Sequence, residues 1–304
     1  MDKVFSLEII EYVEKNLLAS NGDYVAFFKQ LKANFRSGEI AKIYNYILEN
    51  KTDIKLLTQV IREINSSKFI TNFDSLLTFI KNTKNVDLKV LAIKTICVFK
   101  NTKAVPVLLE CLKNPDSNYK IRLACADSLG KIGDKNAFDV LGYIATNEEE
   151  KSAYVKESAV IALGNLGDSR AIDVFSSIMS GKQMFLDKFS YLKERVIEAI
   201  SKLDTSKDAR ALQIIKNSLM EPSSRIRISA IEALMNMDSK ESYELIYDRL
   251  KFDDDIEVKK NALVALYNIS DRTILDEVIQ NDFDKEIKMY AQELIDEYED
   301  GNEE

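Results

Sequence analysis

The sequence predicts an all-α protein, and specifically a right-handed α-solenoid (superhelix) of stacked antiparallel helix pairs. Only nine glycines and three prolines occur among the 304 residues, so helices joined by short turns are favoured over a β architecture. Hydrophobic residues make up 46% of the chain and charged residues 30%, which is the balance of a folded protein rather than a disordered one. In addition, one helical pattern recurs along the chain, as it does in repeat proteins.

The N-terminal part is predicted to be helical but irregular. Segments 24–35 and 39–50 have the spacing of amphipathic helices, and 53–67 followed by 73–82 has that of a degenerate helix pair. We predict that residues 1–52 form an N-terminal helical cap, because the end of a solenoid needs an atypical unit to cover its core. The charged opening stretch "MDKVFSLEIIEYVEKNLL" predicts an amphipathic helix and no signal peptide.

The recurring pattern occupies the rest of the chain. Seven segments align in one frame at intervals of 29 to 37 residues, beginning at Leu88, Ile121, Val155, Leu192, Ile226, Val258 and Ile287. Four positions after these starts the residue is nearly always small, and eight positions after them it is always leucine or isoleucine. Because these positions fall on one face of an α-helix, each segment is predicted to be a helix that buries this face.

A short turn and a second amphipathic helix follow these segments, for example at 104–112, 137–145 and 171–179. Two consecutive helices therefore form one repeat unit, and we predict that the repeat array spans residues 53–298. The acidic residues 299–304 are predicted to be a disordered tail.

The segments "IRLACADSLGKIGD" (121–134) and "VKESAVIALGNLGD" (155–168) resemble HEAT repeats, specifically the short HEAT-like units of phycobilin lyases. The pattern of that family is roughly V-R-x-x-A-x-x-A-L-G-x-I-G-D. The resemblance covers about residues 87–298 and implies about seven clear HEAT-like units after the degenerate N-terminal part. It further implies that the second helix of each unit lines a concave face, and it raises the alternative of a chaperone-like bilin lyase or maturation factor.

The glycines of the two best-matched segments could be mistaken for a phosphate-binding loop. Such a loop needs G-x-x-x-x-G-K-[ST] after a strand, whereas the residues before Gly164 and Gly167 are predicted to be helical. We interpret these glycines as the place where one helix ends. The following aspartates, Asp134 and Asp168, are predicted to cap what comes next.

A basic residue lies one position after every segment start, at Lys89, Arg122, Lys156, Lys193, Arg227, Lys259 and Lys288. These cations could form a track for an anionic ligand. Alternatively, as the HEAT-like resemblance implies, they form a ladder in which each cation pairs with an acid of the preceding turn or the adjacent unit. Acids suitable for this occur at Asp87, Asp116, Glu150, Asp187, Glu221, Asp255 and Asp284. The net charge of −8 favours the ladder, whose exposed pairs would each contribute about 0–1 kcal/mol.

Positions two, six and nine after the segment starts are not needed for the core and form a predicted partner-binding stripe. Its principal members are Leu123, Asp127, Glu157, Ile161, Glu194, Glu198, Ile228, Glu232, Met235 and Tyr267. The ninth position also includes Gly130 and Gly164. Apolar side chains among carboxylates, with few cations, would suit a partner protein or an amphipathic basic peptide. The alternative is ordinary solvated helix surface.

A second candidate surface lies in the longest unit, in the insertion "SGKQMFLDKFSYLKER". Met184, Phe185, Phe189 and Tyr191 crowd into a segment where a polar turn would be expected. Either they extend a helix and pack onto the core, or they contact a partner, since aromatic residues and methionine are enriched at interfaces.

The composition argues against several classes of function. The chain has no histidine, which removes Ser-His-Asp and Cys-His nucleophiles, imidazole zinc sites and the His-Glu ligand pairs of iron-dependent HEAT-like hydroxylases. No catalytic residue, cofactor or metal site is predicted, and no small-molecule ligand is expected. The negative net charge argues against nucleic acid. No apolar run approaches the roughly 18 residues of a membrane span, and three cysteines without CxxC spacing indicate reduced thiols in a cytoplasmic protein.

From these observations the sequence predicts a non-enzymatic scaffold or adaptor. Its concave face would hold a partner protein or peptide, because solenoids present long curved surfaces and no acid, base and nucleophile are brought together here. The bilin lyase or maturation factor implied by the resemblance remains the alternative.

Overall fold

The computed structural model describes residues 7–181, 190–203, 208–237, 239–270 and 272–300. All regular secondary structure in these ranges is helical. None of the helices described there combines the length and the apolar character that crossing a bilayer requires. The chain divides into two compact units, residues 1–144 and residues 145–304, which we call unit 1 and unit 2.

Unit 1 begins with irregular helices and continues with the first repeats. Its α-helices are α1 (Leu7–Ala19), α2 (Tyr24–Asn34), α3 (Ser37–Asn50), α4 (Ile54–Ser67), α5 (Phe73–Asn82), α6 (Val86–Ile96), α7 (Val105–Lys113) and α8 (Tyr119–Ile132). The next helix, α9 (Phe138–Thr146), begins in unit 1 and ends just past the boundary. Short 3₁₀ turns lead into α5, α7 and α9, so the connections within these pairs are compact.

Unit 2 contains the remaining repeats. Its α-helices are α10 (Ala153–Leu166), α11 (Ala171–Ser180), α12 (Ser190–Ser201), α13 (Ala209–Ser218), α14 (Ser224–Met237), α15 (Lys240–Phe252), α16 (Ile256–Ile269), α17 (Thr273–Gln280) and α18 (Lys285–Asp300). The even-numbered helices contain the aligned segments of the sequence pattern, and the odd-numbered ones are the second helices.

Helices of the same kind stack side by side within each unit. In unit 1, α2, α4, α6 and α8 pack in sequence, and in unit 2 the same holds for α10, α12, α14, α16 and α18. Odd-numbered helices pack against the even-numbered neighbours, as α15 does against both α14 and α16. This arrangement of stacked helix pairs confirms the predicted all-α solenoid class.

The core consists of the residue columns that define the pattern. In α10, Ala159 and Leu163 are both fully buried, and the equivalent Ala230 and Leu234 of α14 are buried as well. A small residue in the first column lets neighbouring helices approach, while the aliphatic residue in the second fills the space between them. Hydrophobic burial of this face, rather than helix propensity alone, stabilises helices of 8–16 residues.

Most helices begin at a residue whose side chain accepts a hydrogen bond from a backbone N–H of the first turn. Such caps are Asp23, Asp53, Asn85, Asn118, Ser152, Asp208, Ser239 and Asp255. These side chains satisfy donors that have no partner inside the helix, and so they fix where each repeat helix starts.

The turns after α8 and α10 contain the glycines that the sequence singled out. Gly133 and Gly167 end their helices with φ angles of 78° and 62°, a left-handed conformation that glycine adopts without strain. Asp134 and Asp168 then accept hydrogen bonds from the backbone N–H groups of residues 136 and 170, at 2.9 and 3.1 Å. The prediction of helix ends and caps is confirmed for these four residues.

The interpretation of Gly164 as part of the same turn is wrong. Gly164 lies inside α10, one turn before the helix ends, and it is buried. A Cβ atom built on Gly164 would lie 2.9 Å from the Cβ of Ala199 on α12. This glycine is therefore a close-approach position between two stacked helices.

The predicted cap of residues 1–52 and the predicted tail of residues 299–304 remain predictions. In unit 1, α2 packs against α4 and α3 packs against α5, so these N-terminal helices also lie beside their next-but-one neighbours. At the other end, α18 extends to Asp300, and residues 301–304 lie outside the described residues.

Candidate partner-binding surface

The basic column of the sequence forms a ladder of ion pairs in unit 2. Lys193 of α12 pairs with Glu221, at 2.8 Å between Nζ and Oε1, and Lys259 of α16 pairs with Asp284. In each case the acid precedes the next even-numbered helix, so the pair links adjacent units. For these cations the ladder is confirmed over the track for an anionic ligand.

One rung of this ladder is buried, which the sequence analysis did not anticipate. The Arg227 guanidinium donates from Nε to Asp253 Oδ2 at 3.0 Å and from Nη2 to Oδ1 at 2.8 Å. Its Nη1 also donates to the carbonyl oxygens of Glu221 and Pro222. The two side chains are only 9% and 1% exposed. Burial acts to raise the pKa of Asp253, but its hydrogen bonds and charge interaction with Arg227 outweigh this and hold the pKa below its usual value.

The predicted stripe is brought together in unit 2 by ion pairs between consecutive even-numbered helices. Arg195 of α12 reaches Glu157 of α10, with 3.1 Å between Nε and Oε1. Arg225 of α14 reaches Glu194 of α12, with 3.1 Å between Nη2 and Oε2. Positions two and six of α10, α12 and α14 therefore share one face. We call this set, Glu157, Ile161, Glu194, Glu198, Ile228, Glu232, Met235 and Tyr267, the unit 2 stripe.

A groove of about 250 Å³ lies between α12 and α14 within this face. It is lined by Glu194, Arg195, Glu198, Ser201, Ser229, Glu232, Ala233 and Asn236. Three predicted stripe residues, Glu194, Glu198 and Glu232, are thus lining residues of one depression. The remaining lining groups are short or amide side chains and the Arg195 guanidinium.

The groove contains more positive charge than the sequence analysis predicted. Glu198 pairs with Arg195 on its own helix and with Lys202, whose Nζ is 3.0 Å from Oε1. Partial burial acts to raise the pKa of Glu198, but its bonds to Lys202 and Arg195 lower the pKa overall. The expectation of few cations is wrong here. Glu232 is different, because it is exposed and no cation among the described residues lies within ion-pair distance of it.

Apolar members of the stripe border the groove. Ile161, Ile228, Met235 and Tyr267 are all partly exposed. The Asn268 amide of α16 lies 3.9 Å from the Met235 sulfur of α14, so the face continues onto α16. The unit 2 stripe therefore combines apolar side chains with paired carboxylates and one unpaired carboxylate.

The two stripe members of unit 1 lie together on α8. Leu123 is partly buried, and Asp127 pairs with Lys131 one helical turn further on, at 2.7 Å. The ninth position of the pattern does not belong to an exposed surface in α8 or α10, because Gly130 and Gly164 are buried. That part of the expectation is wrong, since these positions lie in the packed layer.

The insertion surface is described only at its end. Met184, Phe185 and Phe189 lie outside the described residues. Tyr191 is partly buried, and its pKa is raised first by this burial and then by the negative charge of Glu157. Tyr191 therefore lies near the α10 end of the unit 2 stripe.

Unit 1 contains a larger cleft of about 540 Å³ where the α3–α4 and α5–α6 connections meet. Its two charged lining residues are already engaged. Lys51 donates to Glu14 at 2.6 Å, and Glu49 accepts from Ser75 at 2.8 Å. No predicted site residue lines this cleft. Within the described ranges, no group of three or more cysteine, aspartate or glutamate side chains is arranged to hold a metal ion.

Comparison with protein families identifies the repeats. Residues 73–153 match the profile of HEAT repeats, and residues 155–178 match the profile of the PBS lyase HEAT-like repeat. The chain is thus a HEAT-like repeat protein over these residues, and the resemblance predicted from the sequence is confirmed. No curated protein shows significant similarity to the sequence.

Solved structures with similar folds include three that illustrate the range. The complex of CpcE and CpcF of phycocyanin lyase from Nostoc sp. PCC7120 is 20% identical, with 74% of this chain and 87% of that chain covered and a TM-score of 0.47. The archaeal HEAT-like repeats protein from Thermococcus onnurineus NA1 is 16% identical, with 74% and 95% covered and a TM-score of 0.42. Human deoxyhypusine hydroxylase is 13% identical, with 85% and 96% covered and a TM-score of 0.38.

Proposed function

We propose that the protein is a non-enzymatic scaffold that binds a partner protein through the unit 2 stripe. The observation that carries this proposal is the groove between α12 and α14, where Glu194, Glu198 and Glu232 converge beside partly exposed apolar side chains. A shallow groove of this kind on the face of a rigid helix array suits a peptide or helix better than a reacting small molecule.

The charges of the groove favour an amphipathic partner with basic residues. Glu232 has an unpaired carboxylate at the groove, and the negative net charge of −8 would attract a cationic segment from a distance. The apolar side chains of Ile228 and Met235 would contact the apolar face of such a segment. Glu194 and Glu198 already have basic partners, so they position Arg225, Arg195 and Lys202 rather than offering free charge.

Glu232→Lys is the substitution that tests this proposal most cleanly. We expect it to weaken binding of a synthetic amphipathic basic helix by about tenfold, since a tenfold change corresponds to about 1.4 kcal/mol, a size that one interfacial charge pair can supply. Because Glu232 has no ion pair to lose, the fold should be unaffected. Binding would be measured by fluorescence anisotropy of the labelled peptide at two salt concentrations.

Asp248→Lys provides the matched control. Asp248 is also an exposed carboxylate in the middle of a helix, but it lies on the odd-numbered α15 and not in the groove. Equal weakening by both variants would mean that the peptide responds only to net charge. No weakening by Glu232→Lys would contradict the proposed binding surface.

A second candidate is a bilin lyase or maturation factor, which the match of residues 155–178 to the PBS lyase HEAT-like repeat supports. Such a protein would bind an open-chain tetrapyrrole and present it to an acceptor cysteine. Titration with phycocyanobilin distinguishes the candidates: a lyase is expected to give a saturable change in visible absorbance, and a scaffold is expected to give none.

A further inference from the structure

Two cysteines of unit 1 meet across a helix–helix contact. Cys111 is on α7 and Cys125 is on α8, two helices that pack together, and their side chains are in hydrogen-bond contact. Cys125 is fully buried, whereas Cys111 is partly exposed. The buried Arg122 donates from Nε to the carbonyl of Leu112 at 3.0 Å, which joins the two helices directly beside the thiols.

The surroundings favour negative charge on Cys111. Its pKa is lowered to about 7, first by the hydrogen bond from Cys125 and also by the positive charge of Lys89 on α6, against the opposing effect of burial. The pKa of Cys125 is raised, first by the same hydrogen bond and then by burial. Cys125 is thus the thiol that donates its proton, and Cys111 is the sulfur that becomes the thiolate.

Lys89 departs from the ladder seen in unit 2. Lys193, Arg227 and Lys259 each pair with an acid that precedes the next even-numbered helix. The equivalent acid for Lys89 is Asp116, but no carboxylate in the described parts of the chain forms an ion pair with Lys89. The ladder cation of this rung interacts with the Cys111 sulfur instead.

We propose that Cys111 and Cys125 form a thiol modification site that reacts with hydroperoxides, with Cys111 as the attacking sulfur and Cys125 as the resolving sulfur. The partly exposed position of Cys111 admits a small oxidant, and the buried Cys125 lies close enough to react with the product. This inference is independent of the proposed binding function.

The reaction is balanced in two steps. The Cys111 thiolate attacks one oxygen of the hydroperoxide, the O–O bond breaks, and Cys111 sulfenic acid forms while the peroxide is reduced to an alcohol or water. The Cys125 sulfur then attacks the Cys111 sulfur and displaces the hydroxyl group as water, which takes up the Cys125 proton. The product is a disulfide that joins α7 to α8.

Mass spectrometry of the full chain tests this proposal. After removal of reductant and addition of an equimolar amount of hydrogen peroxide, we expect the intact chain to lose two hydrogen atoms. Tryptic peptides 104–113 and 123–131, which contain Cys111 and Cys125, should be recovered as one disulfide-linked species. In Cys125→Ser, the sulfenic acid should persist on Cys111 and be trapped by dimedone.

The third cysteine and Lys89 supply the controls. Cys97→Ser should leave the oxidation unchanged, because burial raises the pKa of the Cys97 thiol and its side chain is only 6% exposed. At pH 7 we expect iodoacetamide to label Cys111 at least about tenfold faster than Cys97. Lys89→Gln should slow the labelling of Cys111 and shift its pH dependence upward.

Two outcomes would overturn the proposal. The first is oxidation that yields no link between peptides 104–113 and 123–131. The second is a reaction of Cys111 with peroxide no faster than that of a small unperturbed thiol under the same conditions.

Discussion

Asp253→Ala is expected to lower the free energy of unfolding by about 3–5 kcal/mol, the range found when one partner of a buried ion pair is removed. The Arg227 guanidinium would remain in a nearly closed site, where it is 9% exposed, without the carboxylate that now receives two of its hydrogen bonds. Its bonds to the carbonyls of Glu221 and Pro222 and its contact with exposed Asp254 would compensate only in part. Urea unfolding followed by circular dichroism measures the loss.

The same pair predicts a pH dependence. The pKa of Asp253 is lower in the folded protein than in the unfolded chain, so the unfolded state binds a proton more readily. The stabilisation is therefore fully present above the unfolded pKa of about 3.9 and is lost as the pH falls through the folded value. The difference in stability between the wild type and Asp253→Ala should be constant near neutrality and shrink below about pH 4.

Asp284→Ala is the control for this prediction. Asp284 forms the corresponding rung with Lys259, but its side chain is 56% exposed. Its removal should cost less than about 1 kcal/mol, because solvent screens exposed pairs and hydrates the remaining ammonium group. Equal effects of the two substitutions would mean that burial of the Arg227 rung is not what makes it stabilising.

The repeat and its core could be predicted from the sequence because they depend on local periodicity. The small residue at Ala159 and the aliphatic residue at Leu163 recur in the same frame in unit after unit, and a position that is buried in one helix is buried in the next. The turn residues Gly167 and Asp168 could be predicted for a similar reason, since a left-handed helix end and a cap are properties of a few consecutive residues.

The charges of the candidate surface could be predicted only in part. The stripe positions Glu194 and Glu198 follow from the frame, but their partners Arg225 and Lys202 lie at positions that the frame does not define. Whether a long basic side chain reaches a given carboxylate depends on the helix next to it. The Cys111–Cys125 contact was missed for the same reason, because the two residues belong to different helices of a pair and share no spacing rule.

Gly164 shows most clearly what the sequence cannot separate. Gly164 and Gly167 lie three residues apart in one motif, yet only Gly167 has a positive φ angle. A glycine required by a turn and a glycine required by a neighbouring helix look identical in a single sequence. They differ in what a methyl group would meet: nothing lies within 4 Å of the position at Gly167, whereas at Gly164 the Cβ, Cα and carbonyl oxygen of Ala199 lie at 2.9, 3.0 and 3.1 Å.

Gly164→Ala is therefore expected to destabilise the protein, although alanine favours helices. The gain in helix propensity is at most about 1 kcal/mol, and forcing a methyl group into a packed contact typically costs about 1–3 kcal/mol. Two of the three contacting atoms belong to the α12 backbone, so no side-chain rotation can relieve the clash and the two helices must move apart. We expect a net loss that grows further in Gly164→Val, measured as a shift in the urea midpoint.

Two further variants distinguish this explanation from a general intolerance of helical glycine positions. Gly38→Ala, in α3, adds a methyl group where nothing lies within 4 Å, so it should leave stability unchanged or slightly raised. Adding Ala199→Gly to Gly164→Ala removes the contact at 2.9 Å but leaves those to the Cα and the carbonyl oxygen, so it should restore only part of the loss. If Gly164→Ala were as stable as Gly38→Ala, the α10–α12 contact would not be limited by backbone approach, and the small-residue column alone would set the spacing of the repeats.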